Sequence, residues 1–250
     1  MNFFKFFSKF FLGIFFPSHC ISCEEIISKD ALFCGPCWQK LSFITEPKCK
    51  ICSYPFEVEI SFMQPLCAKC LVKKPAFDKV ITLFRYNSTI KKIIGDLKYR
   101  DQSFLAKKLA KILFDKIKNE IASHDLIIAV PLHPKRLKKR KFNQAILLAK
   151  NLVKFSPNLK FFPDFLFRVK DTKPQAQLRK QQREKNLKRG FLVNKIYQDS
   201  LKDKKVLLID DVMTTGATLE NCAKELKRRG AREVVVLVIA KTIFFNHGQN

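Results

Sequence analysis

The 250-residue chain carries 48 lysines and arginines against 22 acids, a formal charge of +26 at pH 7. Its length suits one medium domain with a smaller one beside it. The charge calls for an acidic partner (nucleic acid, phosphates or anionic lipid) unless it is compositional drift toward lysine. The seven glycines, at positions 13, 35, 95, 190, 216, 230 and 248, exclude both a G-x-x-x-x-G-K-[ST] loop and a G-x-G-x-x-G fingerprint.

The chain opens with "MNFFKFFSKFFLGIFF", aromatic and basic without an acid. Lys5 and Lys9 interrupt it, no small-residue cleavage site follows, and it is shorter than the ~20 apolar residues a bilayer span needs. Residues 1–17 therefore read as an amphipathic segment that packs on the body or touches a membrane surface. No later segment is a span candidate, so the expectation is a soluble, cytoplasmic protein, with peripheral contact to the inner membrane left open.

Eight of the nine cysteines fall in four C-x-x-C pairs: Cys20/Cys23, Cys34/Cys37, Cys49/Cys52 and Cys67/Cys70. Each pair offers two thiolates from one tight turn, and two pairs complete a tetrahedral zinc site. A disulfide framework would need an oxidising compartment. The simplest assignment is sequential, with Cys20, Cys23, Cys34 and Cys37 in one site and Cys49, Cys52, Cys67 and Cys70 in the other; a cross-braced pairing is also open. Zinc held by four thiolates keeps no open position, so its role is structural. Cys222 stands apart as a small core residue of the last helix.

Beyond Cys70 the spacing predicts a strand near Val80–Tyr86, a helix near Thr89–Leu97 and a helix over 102–121 with Leu105, Leu109, Ile112, Leu113 and Ile117 on one stripe. The run "LIIAVPL" predicts a buried strand ending at Pro131. A basic loop, Lys135–Lys141, follows, and then a helix with Ala145, Leu148, Ala149 and Leu152 at helical spacing. Arg136 and Arg140 can grip phosphate with two parallel bonds, which lysine cannot. Residues 168–190, polar and basic, read as a lid whose Arg168, Lys170, Arg179 and Arg183 would close over pyrophosphate; a nucleic-acid-binding arm is the other reading.

Val206–Ile209 is a continuous apolar run of the kind buried on both faces of a parallel sheet. It leads into Asp210 and Asp211, which cannot stay in that core unpaired and are expected at the strand's carboxyl end, where open α/β sheets bind ligands. Thr214, Thr215, Gly216, Ala217 and Thr218 then form a hydroxyl-rich turn into a helix that Gly230 stops. Backbone N–H groups at such a helix start hold anions. Two neighbouring carboxylates accept hydrogen bonds from vicinal hydroxyls or hold magnesium through water. Diol plus phosphate describes a ribose 5-phosphate. The last strand is "EVVVLVIA", 233–240, and the alternation of strands and helices predicts an α/β fold with a mostly parallel sheet.

The stretch "VLLIDDVMTTGATLE" resembles the PRPP loop of the type I phosphoribosyltransferases. The wider order "FPSHCISC", "CGPCWQKL", two further C-x-x-C pairs, "PAFDKV", "LKYR", "VPLHPKRLKKRKFNQ" and "RVKDTKPQAQLRKQQREKN" is similar to the competence protein ComF family. That resemblance implies a double zinc-ribbon domain over 18–72 and a domain of type I phosphoribosyltransferase kind over 73–250. It also implies PRPP and magnesium at Asp210, Asp211 and the following turn, catalytic roles for the acids with Arg136 and Arg140, and a part in handling single-stranded DNA during natural transformation. A competence helicase or membrane DNA channel would be the partner. The alternative is an active transferase that displaces pyrophosphate toward an unidentified acceptor. Three positions depart from the family: Lys141 stands where glycine is usual, and glycines that often follow a knuckle's second cysteine are missing at Glu24 and Ser53.

Overall fold

The computed structural model describes residues 18–28, 31–57, 65–99, 103–169 and 190–244. The amino-terminal segment 1–17 and the lid residues Lys170, Arg179 and Arg183 lie outside them. The first half contains β1 (Ser18–His19), β2 (Ile26–Ile27), α1 (Gly35–Gln39), α2 (Ala68–Val72), β3 (Lys79–Arg85), α3 (Ser88–Tyr99) and α4 (Ser103–Ile121). Then come β4 (Leu126–Ala129), α5 (Pro134–Arg140), α6 (Gln144–Leu152), β5 (Lys160–Phe161), β6 (Leu166–Arg168) and β7 (Phe191–Val193). Two short 3-10 turns precede β8 (Lys205–Met213), α7 (Ala217–Arg228) and β9 (Glu233–Lys241).

Five strands form one parallel sheet in the order β3-β9-β8-β4-β5. Side-chain alternation along each strand splits the core in two. Ile81, Leu83, Ile127, Ala129, Leu207, Ile209, Val235 and Leu237 face one way and meet the apolar stripes of α3, α4 and α6. Val80, Leu126, Ile128, Val206, Leu208, Val234 and Val236 face the other way and meet Leu219, Cys222, Ala223 and Leu226 of α7 together with the antiparallel β6–β7 hairpin. With both faces covered, the strands have no polar face, which is why they read as unbroken apolar runs. Cys222 is a core residue, as expected. Gly230, at φ +99°, ends α7, with the Ala231 N–H returning to the Leu226 carbonyl at 3.1 Å.

The cysteine-rich module covers the free edge of β3. Ile44 N–H donates to Leu83 O at 2.8 Å, Arg85 N–H to Ser42 O at 2.7 Å and Val80 N–H to Ile51 O at 2.6 Å. An edge strand that would otherwise invite pairing with another chain is thereby occupied.

Two local expectations are corrected. The strand expected to reach Pro131 stops at Ala129, because Val130 makes the last ladder bond, to Ile209 O, and Pro131 has no N–H to offer. The basic run is a helix rather than a loop: His133 Nδ1 accepts from Lys135 N–H at 3.2 Å as a cap, and Pro134 pre-sets the first turn. That helix ends at Lys141 in the left-handed conformation, φ +65°.

The three positions that depart from the family's glycines, Glu24, Ser53 and Lys141, all have positive φ: 67°, 55° and 65°. Ser53 is compensated by its hydroxyl, which donates to Val80 O at 2.5 Å. Lys141 is exposed and has no such anchor among the bonds of the described residues. A left-handed non-glycine residue costs ~1–2 kcal/mol, of which glycine's extra unfolded-state entropy returns ~0.5–1 kcal/mol. Lys141→Gly is therefore expected to raise the melting temperature by about 1–4 °C, whereas Ser53→Gly, which loses its hydrogen bond, lowers it. Equal effects of the two substitutions in thermal denaturation would refute this account.

Candidate functional site

The chain leaves β4 toward β5 on one side and leaves β8 toward β9 on the other. The β4/β8 boundary is therefore the switch point of the sheet, where a crevice opens beyond the strands' carboxyl ends. β4 and β8 pair as far as Ala129↔Ile209; β8 then continues alone on that side while still pairing with β9 through Asp210↔Val238 and Met213↔Lys241. The two acids are thus inside β8 and not beyond it. They reach the crevice because β4 stops first.

Alternation sends the acids to opposite faces. Asp210 lies on the α7 side, where burial pushes its carboxyl well above the usual carboxylate range; the nearby Asp211 charge adds to this, while the Asp211 N–H and Lys98 oppose it. The Cys222 thiol is pushed up by the same burial and by Asp210. Asp211 lies on the α3 side with its Oδ2 2.6 Å from Lys98 Nζ, an ion pair that is largely buried, the side chains being 11% and 20% exposed. Oδ2 has no hydrogen-bond partner of good geometry in addition.

The turn after the acids is built for close approach. Gly216 has φ +82°, and a Cβ there would lie 2.7 Å from Met213 Cε. Thr214, Thr215, Ala217 and Thr218 are exposed. The Ala217 N–H is 3.4 Å from Thr215 Oγ1 and α7 begins here, so its first-turn N–H groups open at the crevice. The second cysteine module touches the same turn: Lys69 Nζ lies 3.5 Å from Thr215 O, and Glu220 of α7 accepts from Ala76 N–H at 2.8 Å.

The basic side comes from α5. Arg140 is half-buried, donates to Gln144 Oε1 at 3.3 Å and to the Tyr99 hydroxyl at 3.4 Å, and sits 5.3 Å from the Tyr99 ring centre. Those contacts lower the Tyr99 phenol's pKa. Arg136 is four residues earlier and shares a face with Arg140; Lys138 is turned away from it, and Lys139, three residues after Arg136, borders it and adds its charge at Tyr99. Asn143 caps α6 and donates to Val130 O at 2.9 Å, tying the basic helix to the end of β4. The last turn of α3 therefore joins the two halves, with Lys98 on the acid and Tyr99 on the arginine. Sequence reasoning assigned neither a role. The only signal was the stretch "LKYR", whose helical position does not say what it faces. Arg168 lies in β6, its guanidinium 5.6 Å from the Phe191 ring across the hairpin.

The eight paired cysteines collect in sequential order. Cys20, Cys23, Cys34 and Cys37 form one tetrad and Cys49, Cys52, Cys67 and Cys70 the other, with all sulfurs of a tetrad within 4.8 Å of one another. Tetrahedral zinc with ~2.3 Å bonds sets sulfurs about 3.8 Å apart, and Cys23–Cys34 and Cys52–Cys67 are each at 3.6 Å. Burial works against the Cys20 thiolate, yet N–H groups of Cys23, Cys34 and Ser22 draw its pKa down to about 6. A hydrogen bond from Cys52 draws Cys49 to about 4. Each cluster thus starts with one thiol poised as a ligand, and the set fits structural zinc.

Comparison with known proteins supplies the family. Competence protein F of Haemophilus influenzae is 30% identical over 236 residues, covering 91% of this chain and 98% of that protein. The chain belongs to the competence protein ComF family. Competence protein ComFC of Bacillus subtilis is 28% identical over 237 residues (84% and 89% of the two chains), and DNA utilization protein YhgH of Escherichia coli K12 is 29% identical over 182 residues (71% and 78%). Two family models match along this ComF chain: a double zinc ribbon domain at residues 11–71 and a phosphoribosyl transferase domain at 169–244. Among solved structures, the B. subtilis glutamine PRPP amidotransferase in complex with ADP and GMP is similar with a TM-score of 0.40 at 17% identity, covering 57% of this chain and 30% of that one.

Proposed function

We propose that this ComF protein binds PRPP with magnesium in the β4/β8 crevice, binds single-stranded DNA, and acts in DNA uptake beside a helicase or membrane DNA channel. One observation carries the PRPP reading: an acid pair that the early end of β4 leaves without a strand neighbour on that side stands a few residues before a glycine-started helix, so ribose hydroxyls and 5-phosphate have receptors of the right sign close together in the chain. Asp210 and Asp211 would accept from the ribose hydroxyls and hold magnesium through water; Thr214, Thr215, Gly216, Ala217 and Thr218 would wrap the 5-phosphate. Magnesium, when bound, would offset the charge of the pyrophosphate. Lys98 and Arg140 supply cations on the side away from the phosphate turn, the place where a leaving pyrophosphate would gather charge, which favours active transfer as the second reading. The names of the relatives support a role in DNA handling. Among the described residues no helix is long and apolar enough to cross a membrane, and a cytoplasmic site of action is part of the proposal. Calorimetry with PRPP and magnesium tests the binding, and release of pyrophosphate in the presence of bases or amines tests the transfer.

The helical form of the basic run makes a separable prediction. Arg136 and Arg140 share one face of α5, Lys138 lies on the opposite side and Lys139 borders the arginine face. Replacing the two arginines by Gln should weaken PRPP binding more than DNA binding. Replacing Lys138 by Gln should spare PRPP and flatten the salt dependence of DNA binding, by ~0.7 in the log–log slope for the lost phosphate contact. Equal losses of both ligands in the arginine and the Lys138 variants would mean a single shared anion site.

A further inference from the structure

The chain's only tryptophan is not in a core. Trp38 sits on α1 directly after the buried Cys37 and is 54% exposed; Phe43 is 37% exposed. A ladder of rings ties them to the sheet: Phe33–Trp38 at 6.2 Å, Trp38–Phe43 at 5.2 Å and Phe43–Phe84 at 4.9 Å between centroids, with Phe84 fully buried. The base of the ladder is rigid, because Phe43 bridges Phe84 antiparallel to β3 and the flanking Ile44 and Arg85 amides are bonded across it. Two aromatic rings are thus held toward solvent by a zinc module on one side and a sheet edge on the other.

Within the two stretches that carry them the charge has one sign. The two stretches that form the patch, 38–45 and 84–93, hold Lys40, Arg85, Lys91 and Lys92 and neither Asp nor Glu. Asn87 Nδ2 donates to Lys40 O at 3.1 Å, which joins the stretches, and Lys92 reaches the Ser22 carbonyl of the first cysteine module. Because the strands are parallel, the carboxyl end of β3, where Phe84 lies, is on the same rim of the sheet as the acids of β8. Flat apolar faces framed by cations fit a ligand with accessible π-faces and a regular negative backbone, which is a single strand of nucleic acid; a duplex keeps its base faces stacked on each other.

We infer that Trp38 and Phe43 are a stacking platform for the bases of single-stranded DNA; this rests on the reading that the chain binds that polymer. Trp38 is its own reporter. A labelled oligothymidylate is titrated into the zinc-loaded full chain, with label anisotropy reporting binding and Trp38 emission reporting stacking. The two signals are expected to change together, and Trp38→Leu, with zinc content unchanged, should weaken binding roughly five- to hundredfold. A rise in anisotropy with unaltered emission and unaltered affinity in Trp38→Leu would overturn the platform while leaving DNA binding intact. No rise in anisotropy at all would bring down the DNA reading and the platform with it. Vesicles containing phosphatidylglycerol are the control: a blue shift of Trp38 with vesicles, and none with oligothymidylate, would assign the patch to a membrane surface and refute the proposal. The emission readout on the unmodified protein keeps the test valid should the variant fail to fold.

Discussion

Removing zinc is expected to unfold the cysteine-rich module while most of the parallel sheet survives. The purified chain should hold about two zinc ions, one per tetrad, and structural zinc of this kind contributes ~10–16 kcal/mol to a small module at neutral pH. The second tetrad's part of the module has little else: its apolar cluster consists of Cys49, Cys52 and Cys70 with a few half-buried neighbours such as Ile51 and Tyr54. Loss of the metal frees the segments that cover β3, so the bonds from Ile44 to Leu83 and from Val80 to Ile51 should open, exposing a sheet edge prone to association. Lys69 would leave the phosphate turn, so PRPP affinity should fall as well. Amide hydrogen exchange before and after chelation checks this: residues 18–72 should lose protection well before β8 and β9. Metal analysis that finds no zinc and oxidised thiols, or a module that stays protected after chelation, would refute it.

Replacing both Asp210 and Asp211 by Asn is expected to lower PRPP affinity at least tenfold, because charge-assisted hydrogen bonds contribute ~1.5–3 kcal/mol each. The two single variants should differ in stability. Asp210 titrates higher in the folded protein than in the unfolded chain, mainly through burial. Its contribution to stability therefore diminishes as pH rises from the ordinary carboxylate range toward the raised value. Asp210→Asn removes that dependence and should be neutral or mildly stabilising at neutral pH. Asp211→Asn instead strips Lys98 of its carboxylate at 2.6 Å in a place with little solvent; it should destabilise by about 1–3 kcal/mol. Denaturant melts of both variants, with calorimetry on PRPP, separate the two effects. Unchanged PRPP binding in a folded double variant would exclude the crevice as the ligand site.

Much of this architecture was legible from local pattern. The unbroken apolar runs at 206–209 and 234–240 predicted strands covered on both faces, and the 3.6-residue stripe through Leu105, Leu109 and Leu113 predicted α4, because burial on a regular element imposes its period on the sequence. Four C-x-x-C pairs announced metal, since each pair is complete within four residues. The order of acids, threonines and glycine marked the turn that the PRPP proposal rests on for the same reason.

What the sequence left open was decided by contacts between residues far apart. Pairing of the knuckles had two local solutions, and only the folded module, which gathers the sulfurs of each sequential tetrad within 4.8 Å of one another, selects the sequential one. The basic run read as a loop because it has no apolar face; a histidine cap, a proline and a left-handed lysine make it a short surface helix, and that brings Arg136 and Arg140 onto one face with Lys138 opposite. Asp210 and Asp211 were expected past the end of their strand, as isolated charges must be. The sheet keeps them within β8 because a neighbour, β4, is four residues shorter on that side, and strand length is relative only once the strands are paired. Lys98 and Tyr99 carried no signal of their own. A helix period states which face is buried, not which acid or arginine waits across the crevice, so the ion pair that joins α3 to the candidate ligand site exists only in the tertiary structure.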